Sequence, residues 1–268
     1  MQFSTLAHSR VGAVLAGAAL LVTAGGVGGA MASSGHHGDD HGRGGDHGRD
    51  HGRDHDDRGN GPKWAPRNLG VNWQIIDRNV IGNGDSYLRT GPNSANFGVT
   101  VDVPFGVGSL GMRTGSGEDK ATFGNQVDFA GDALADIEHA SYWVYTTGEN
   151  KAKGPGNLPN LQFEVSPDGQ GGFSTLVYVP EAAEANTWTE LDASEAKRWY
   201  LTGAEGEATG CNQVTYCTLD EVQAELPDAT IYTVQFSKGR DHAFSGAVDG
   251  LALNDTTYDF EPYGVVTR

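Results

Sequence analysis

The sequence predicts an all-β domain, a two-sheet antiparallel β-sandwich of jelly-roll-like topology with one short helix, and two observations carry that prediction. From Trp64 onward, short segments alternate apolar and polar residues with a period of two, each bounded by clusters of Gly, Asn, Asp or Pro. Only one stretch reads with helical spacing. The 40 glycines fit the turns that such a fold needs.

The strands can be justified in order. Phe97, Val99, Val101 and Val103 share one face, with Gly98, Thr100 and Asp102 on the other. Leu161, Phe163 and Val165 alternate with Gln162 and Glu164 in the same way. Further strands are predicted over 71–76, 121–129, 137–146, 173–179, 187–191, 198–202, 230–237, 244–253 and 256–260. This number of short strands points to a sandwich or jelly roll. Two of them are apolar on both faces. Tyr142 and Val144 oppose Trp143 and Tyr145, and Tyr232, Val234 and Phe236 oppose Ile231 and Thr233. A sandwich strand has one inner face, so the second aromatic face is expected either under a loop or in a groove.

The helix is predicted after Thr218, which stands as N-cap to Glu221 three residues on, with Leu219, Val222 and Leu226 at helical spacing before Pro227. Gly106-Val107-Gly108-Ser109-Leu110-Gly111 matches the glycine pattern of dinucleotide-binding loops, but the glycine-rich continuation to Gly117 cannot start a helix. It is read as a glycine-rich turn. Asn83-Gly84-Asp85-Ser86 is read as a hairpin turn.

The first 63 residues are of different character. Residues 1–32 read as a secretory signal peptide: a weakly basic start to Arg10, an apolar run from Val11 to Val27, and Ala30-Met31-Ala32 before a cut between Ala32 and Ser33. The apolar run is short for a membrane span. No cysteine lies near the cut and no apolar tail closes the chain, so the mature protein is expected outside the cytosol and free of the membrane. Residues 33–63 repeat a unit close to Asp-His-Gly-Arg and carry too few apolar side chains to offset ordering entropy, which predicts a disordered tether. His36, His37, His41, His47, His51 and His55 alternate there with carboxylates, a donor set suited to Zn, Cu or Ni. The competing reading is a solvated spacer.

Residues 64–268 form the predicted sandwich domain. It carries 28 Asp and Glu against 12 Lys and Arg, within a chain of formal charge −17, a balance that repels phosphate backbones and argues against nucleic acid as partner. Cys211 and Cys217, the only cysteines, are expected to close a local disulfide in an oxidising compartment.

No zinc-protease, nucleophile-elbow or P-loop motif is present, and the domain's histidines, His139 and His242, have no spacing that suggests a catalytic triad. Paired carboxylates for glycoside hydrolysis need no motif, so a secreted polysaccharide hydrolase stays open. The leading expectation is a non-catalytic secreted module for glycan or another envelope polymer, using aromatic faces drawn from Trp73, Trp143, Tyr145, Trp188, Trp199 and Tyr200. Metal capture by the histidine-rich tether is the third reading.

The closing segment, Phe244-Ser245-Gly246-Ala247-Val248-Asp249-Gly250-Leu251-Ala252-Leu253-Asn254 followed by Thr257-Tyr258-Asp259-Phe260-Glu261-Pro262, resembles the final hairpin of secreted jelly-roll domains of the carbohydrate-binding-module and lectin-like type. That resemblance implies a glycan ligand and a structural calcium on Asp249, with Asp259 or Glu261. The alternative for these carboxylates is hydrogen bonding to backbone, or exposure. By parity, Asp249 is expected to point the way Leu251 and Leu253 do.

Overall fold

The computed structural model describes residues 69–70, 72–96 and 99–268. The expected signal peptide with its Ala32/Ser33 cut, and the tether with His36, His37, His41, His47, His51 and His55, lie outside the described residues.

Among the described residues, sixteen strands are formed. They are β1 (Leu69–Gly70), β2 (Trp73–Ile75), β3 (Asp85–Thr90), β4 (Ser94–Asn96), β5 (Val99–Val101), β6 (Gly108–Thr114), β7 (Lys120–Asn125), β8 (Ala140–Tyr145), β9 (Asn160–Ser166), β10 (Ser174–Tyr178), β11 (Trp188–Asp192), β12 (Trp199–Leu201), β13 (Thr230–Gly239), β14 (Phe244–Leu253), β15 (Thr256–Glu261) and β16 (Gly264–Thr267). The chain is a β-sandwich. One sheet has six strands in the order β12-β10-β9-β13-β7-β2. The other has eight, β1-β16-β15-β14-β6-β3, with β8 paired to β14 and β11 paired to β8. All pairings within the sheets are antiparallel. The short pair β4-β5 stands apart as a third sheet.

The core lies between the two large sheets. Leu161, Phe163 and Val165 of β9 meet Tyr142 and Val144 of β8, joined by Trp73, Phe123, Phe236 and Phe260 in a run of edge and stacked ring contacts. Each such ring removes apolar surface worth about 1.5–3 kcal/mol when fully buried.

The capping box is present: the Thr218 hydroxyl accepts the Glu221 N–H while Glu221 reaches back to the Thr218 N–H, opening a helix at Leu219–Glu225. Its Leu219 and Val222 close one end of the core. Where the sequence predicts one helix, two more are formed, α1 (Gly148–Lys151) and α2 (Gly203–Thr209), the latter as long as the capping-box helix, which is therefore α3. Cys211 and Cys217 form the expected disulfide between α2 and α3.

Three readings are corrected. The glycine run at 106–111 is not only a turn: Gly108–Thr114 is β6, between β3 and β14 in the eight-stranded sheet. Glycine is required there because a Cβ on Gly108 would fall 2.8 Å from the Phe260 carbonyl oxygen, and one on Gly111 would fall 2.8 Å from the Tyr87 ring. Asp85 and Ser86, expected in a hairpin turn, begin β3. The parity of Asp249 is also reversed. Between Asp249 and Ala252 the register against β8 slips, with Gly250 at φ +55°, so Val248, Leu251 and Leu253 all enter the core while Asp249 turns to the outer face.

Candidate functional site

The outer face of the six-stranded sheet is built from the polar half of each alternation. Gln162 and Glu164 alternate with Leu161, Phe163 and Val165 on β9, and Thr233, Gln235 and Ser237 alternate with Val234 and Phe236 on β13. The pairing register sets these side chains in rows. Gln162 lies opposite Gln235 and Val177, Glu164 opposite Thr175 and Thr233, Asn160 opposite Ser237, and Lys120 opposite Gly239.

Although polar, several are buried: Gln235 is 1% exposed and Glu164 2%. Buried polar groups need partners, and the 3-10 turn Asp77–Asn79 supplies them. Arg78 forms an ion pair with Glu164 and donates to Thr233 Oγ1 at 3.1 Å. Asn79 Nδ2 donates to Glu164 Oε1 at 2.7 Å and to Gln235 Oε1 at 3.1 Å. Gln235 Nε2 in turn donates to Gln162 Oε1 at 3.0 Å. The chain of bonds fixes both glutamines, and among the described residues the Gln162 amide nitrogen has no acceptor.

Over these rows runs an open groove of about 330 Å³ that reaches from Tyr200 on β12 to Lys120 on β7. Four inter-strand steps separate β12 from β7, a span of about 19 Å at the usual strand spacing. The ends differ in chemistry. At the β12 end stand Tyr200, half-buried and stacked on Tyr216 with ring centroids 6.1 Å apart, and Phe173, largely exposed. At the β7 end stand Lys120 and Arg240. Glu164 is the single carboxylate among the lining residues.

The aromatics proposed from sequence are divided by the fold. Trp199 is fully buried in the core and donates its indole N–H to the Ala193 carbonyl at 2.7 Å, and Trp73 packs among Phe123, Phe129, Tyr258 and Phe260. Tyr145 and Trp188 form a second, smaller cluster with Ala247, against which Trp143 and Val103 pack. Trp188 Nε1 donates to the Pro92 carbonyl at 3.2 Å. A Cβ on Gly250 would lie 2.4 Å from the Phe105 ring and 3.2 Å from Trp143. The second aromatic face of β8 is therefore covered by the segment before β6, the loop alternative of the two that the sequence left open. Of the six rings, only Tyr200 lines the groove.

Asp249, Asp259 and Glu261 are brought close together on β14 and β15, beneath the turn at Gly106, where a Cβ would collide with Glu261 Oε1. Asp249 Oδ1 accepts the Phe260 N–H at 3.0 Å and Oδ2 the Phe105 N–H at 3.3 Å. Asp259 Oδ2 takes both Arg268 Nε, at 2.8 Å, and Nη2, at 2.6 Å. Glu261 Oε1 accepts the Val107 N–H at 3.0 Å. Burial pushes the Asp249 carboxyl up to about 8, against which the Phe260 N–H works, while neighbouring Asp259 adds to the rise. Asp259 and Glu261 are raised by burial as well. These carboxylates bond to backbone N–H groups and to Arg268, Asp259 Oδ1 is buried without a hydrogen-bond partner, and among the described residues no group of three or more His, Cys, Asp or Glu side chains is arranged to hold a metal ion.

His139 bridges Ser194 Oγ at 3.0 Å and Ser141 Oγ at 3.2 Å, and among the described residues no carboxylate is bonded to its ring. Ser194 Oγ is engaged by the Ala140 N–H at 2.8 Å, which ties this pair to the β8 backbone. No family model matches the chain, and a search of the curated proteins finds none similar to it.

Proposed function

We propose that this is an exported, non-catalytic binding protein that takes a saccharide chain along the outer face of its six-stranded sheet. The observation that carries the reading is the groove itself: an open trough about 19 Å long with an aromatic ring at one end and hydrogen-bonded amides along its floor. Sugar rings present CH groups to aromatic faces and hydroxyls to amides, and Tyr200, Gln162 and Gln235 offer both kinds of contact. Because Gln162, Gln235 and Asn79 already hold one another, little side-chain entropy is lost when a ligand arrives. The closing hairpin's resemblance to secreted carbohydrate-binding domains points the same way, and the disulfide fits an oxidising compartment.

Hydrolysis is the weaker reading. Paired-carboxylate mechanisms need two acids flanking the scissile bond, whereas the groove offers Glu164 alone, already ion-paired with Arg78. The test is calorimetric titration of the full chain with a panel of soluble polysaccharides, alongside an assay for new reducing ends. At least one polymer should bind, with affinity reduced about tenfold in Tyr200→Ala and no chain cleavage. If no polymer binds, or if Tyr200→Ala binds as the parent does, the groove is not the site.

A further inference from the structure

We propose that the β7 end of the groove is an oxyanion subsite formed by Lys120 and Arg240, so that the ligand is an acidic glycan. The inference rests on the saccharide reading and specifies which class of saccharide.

It begins with an imbalance of charge. The domain has 12 basic residues against 28 acidic ones, yet Lys120 and Arg240 both line this one groove, and Arg78 is bonded to its Glu164. Arg78 is neutralised by Glu164. Lys120 and Arg240 are not: among the described residues, neither has a carboxylate within ion-pairing distance.

Two carboxylates near them in the chain, Asp119 and Asp241, are engaged elsewhere, and Glu118 is exposed. Asp119 accepts the Asn83 N–H at 2.8 Å, the Gly115 N–H at 3.1 Å and the Ser116 hydroxyl at 3.1 Å. Asp241 is ion-paired with the buried Lys238 and also accepts the His242 N–H at 2.7 Å. Both side chains line the groove: Lys120 lies opposite Gly239 in the β7–β13 pairing, and Arg240 follows Gly239 in the chain. Gly239 is needed for this approach, since a Cβ there would lie 2.2 Å from the Asp119 carbonyl oxygen.

Lys120 is also half-buried. Burial lowers its affinity for the proton, Glu164 partly restores it, and Arg240 lowers it further. A desolvated cation beside a like charge is unfavourable until an anion arrives, and an arriving oxyanion would be paired by a compact ammonium and a planar guanidinium. The Gln162 amide and the Ser237 hydroxyl beside them suit the ring hydroxyls of the same sugar. A uronic carboxylate and a sulfate ester are two such sugar-borne oxyanions, and the test separates them.

The experiment titrates the full chain with polygalacturonate, alginate and hyaluronate, each against its carboxyl-reduced form, and with dextran sulfate against dextran. Parent, Lys120→Met, Arg240→Gln and Tyr200→Ala proteins are compared, each checked for folding by circular dichroism. Arg240 is exposed, so its substitution tests the idea even where Lys120→Met fails to fold. The expected result is at least tenfold tighter binding of one acidic polymer than of its neutral form, lost in Lys120→Met and Arg240→Gln. Preference for a uronate names the carboxylate, and preference for dextran sulfate the sulfate. Equal affinity for acidic and neutral forms, sensitive to Tyr200→Ala but not to the basic substitutions, overturns the oxyanion subsite and leaves the saccharide reading standing. No binding to any of these polymers overturns both.

Discussion

Asp249 sits where the bulge at Gly250 turns its carboxyl under the segment before β6, and the physical consequence is a dependence of stability on pH. Its ordinary value is 3.8 and its folded value about 8. Between the two, the folded protein keeps a proton that the unfolded chain has released, so stability falls as pH rises from about 4 to about 8 and levels off above. Asp259 and Glu261, also raised, contribute in the same direction, while Arg268 opposes the shift at Asp259. Thermal unfolding from pH 5 to 9 should show the melting temperature falling across the window, and Asp249→Asn should make that slope shallower. Equal slopes would assign the dependence to other groups. Trp199 and Tyr200 show the same lesson in packing: neighbours on one short strand, they face opposite ways, one wholly inside and one on the groove. Only their parity relative to core neighbours separates a core ring from a ligand ring.

At the scale of elements, the sequence was readable wherever one local rule decided the outcome. The alternation in β9 and the capping box of α3 are such cases. Thr218→Ala should cost about 1 kcal/mol, seen as a lower urea midpoint with unchanged slope. Reading failed where tertiary packing overrode local signal. β6 is glycine-rich because its neighbours crowd it, and composition alone made it look like a turn. Gly108→Val should destabilise by about 1–3 kcal/mol, measurable in the same urea series, because Pro262 and the Phe260 carbonyl occupy the space a side chain would take. Bulges defeated parity twice, at Gly250 in β14 and at Tyr232 in β13, where Ile231 and Val234 both enter the core and Tyr232 faces solvent. A bulge inserts one residue into a period of two and leaves no sequence mark beyond, at most, a glycine.

At the scale of the whole molecule, the groove was illegible in the sequence for a different reason. Its residues come from a 3-10 turn, five strands and the loop positions Phe173, Thr202 and Arg240, and no local pattern joins them. Only the strand order does. That same distribution sets the acidic exterior against a small cationic end, which makes encounter with an anionic polymer unusual. The formal charge of −17 repels such a polymer at long range, while Lys120 and Arg240 attract it only within the groove. Salt screens the first effect more than the second, because the Debye length shrinks from about 30 Å at 0.01 M to about 8 Å at 0.15 M while the groove contacts are far shorter. The association rate constant for an acidic glycan, measured by stopped flow, should therefore rise with ionic strength over this range, the reverse of ordinary electrostatic steering. In Arg240→Gln the repulsive field is slightly stronger and the local attraction weaker, so the rate should be lower than the parent's at every salt concentration and rise with salt at least as steeply. A parent rate that falls steadily with added salt would mean that the cations of the groove, rather than the acidic shell, govern the approach.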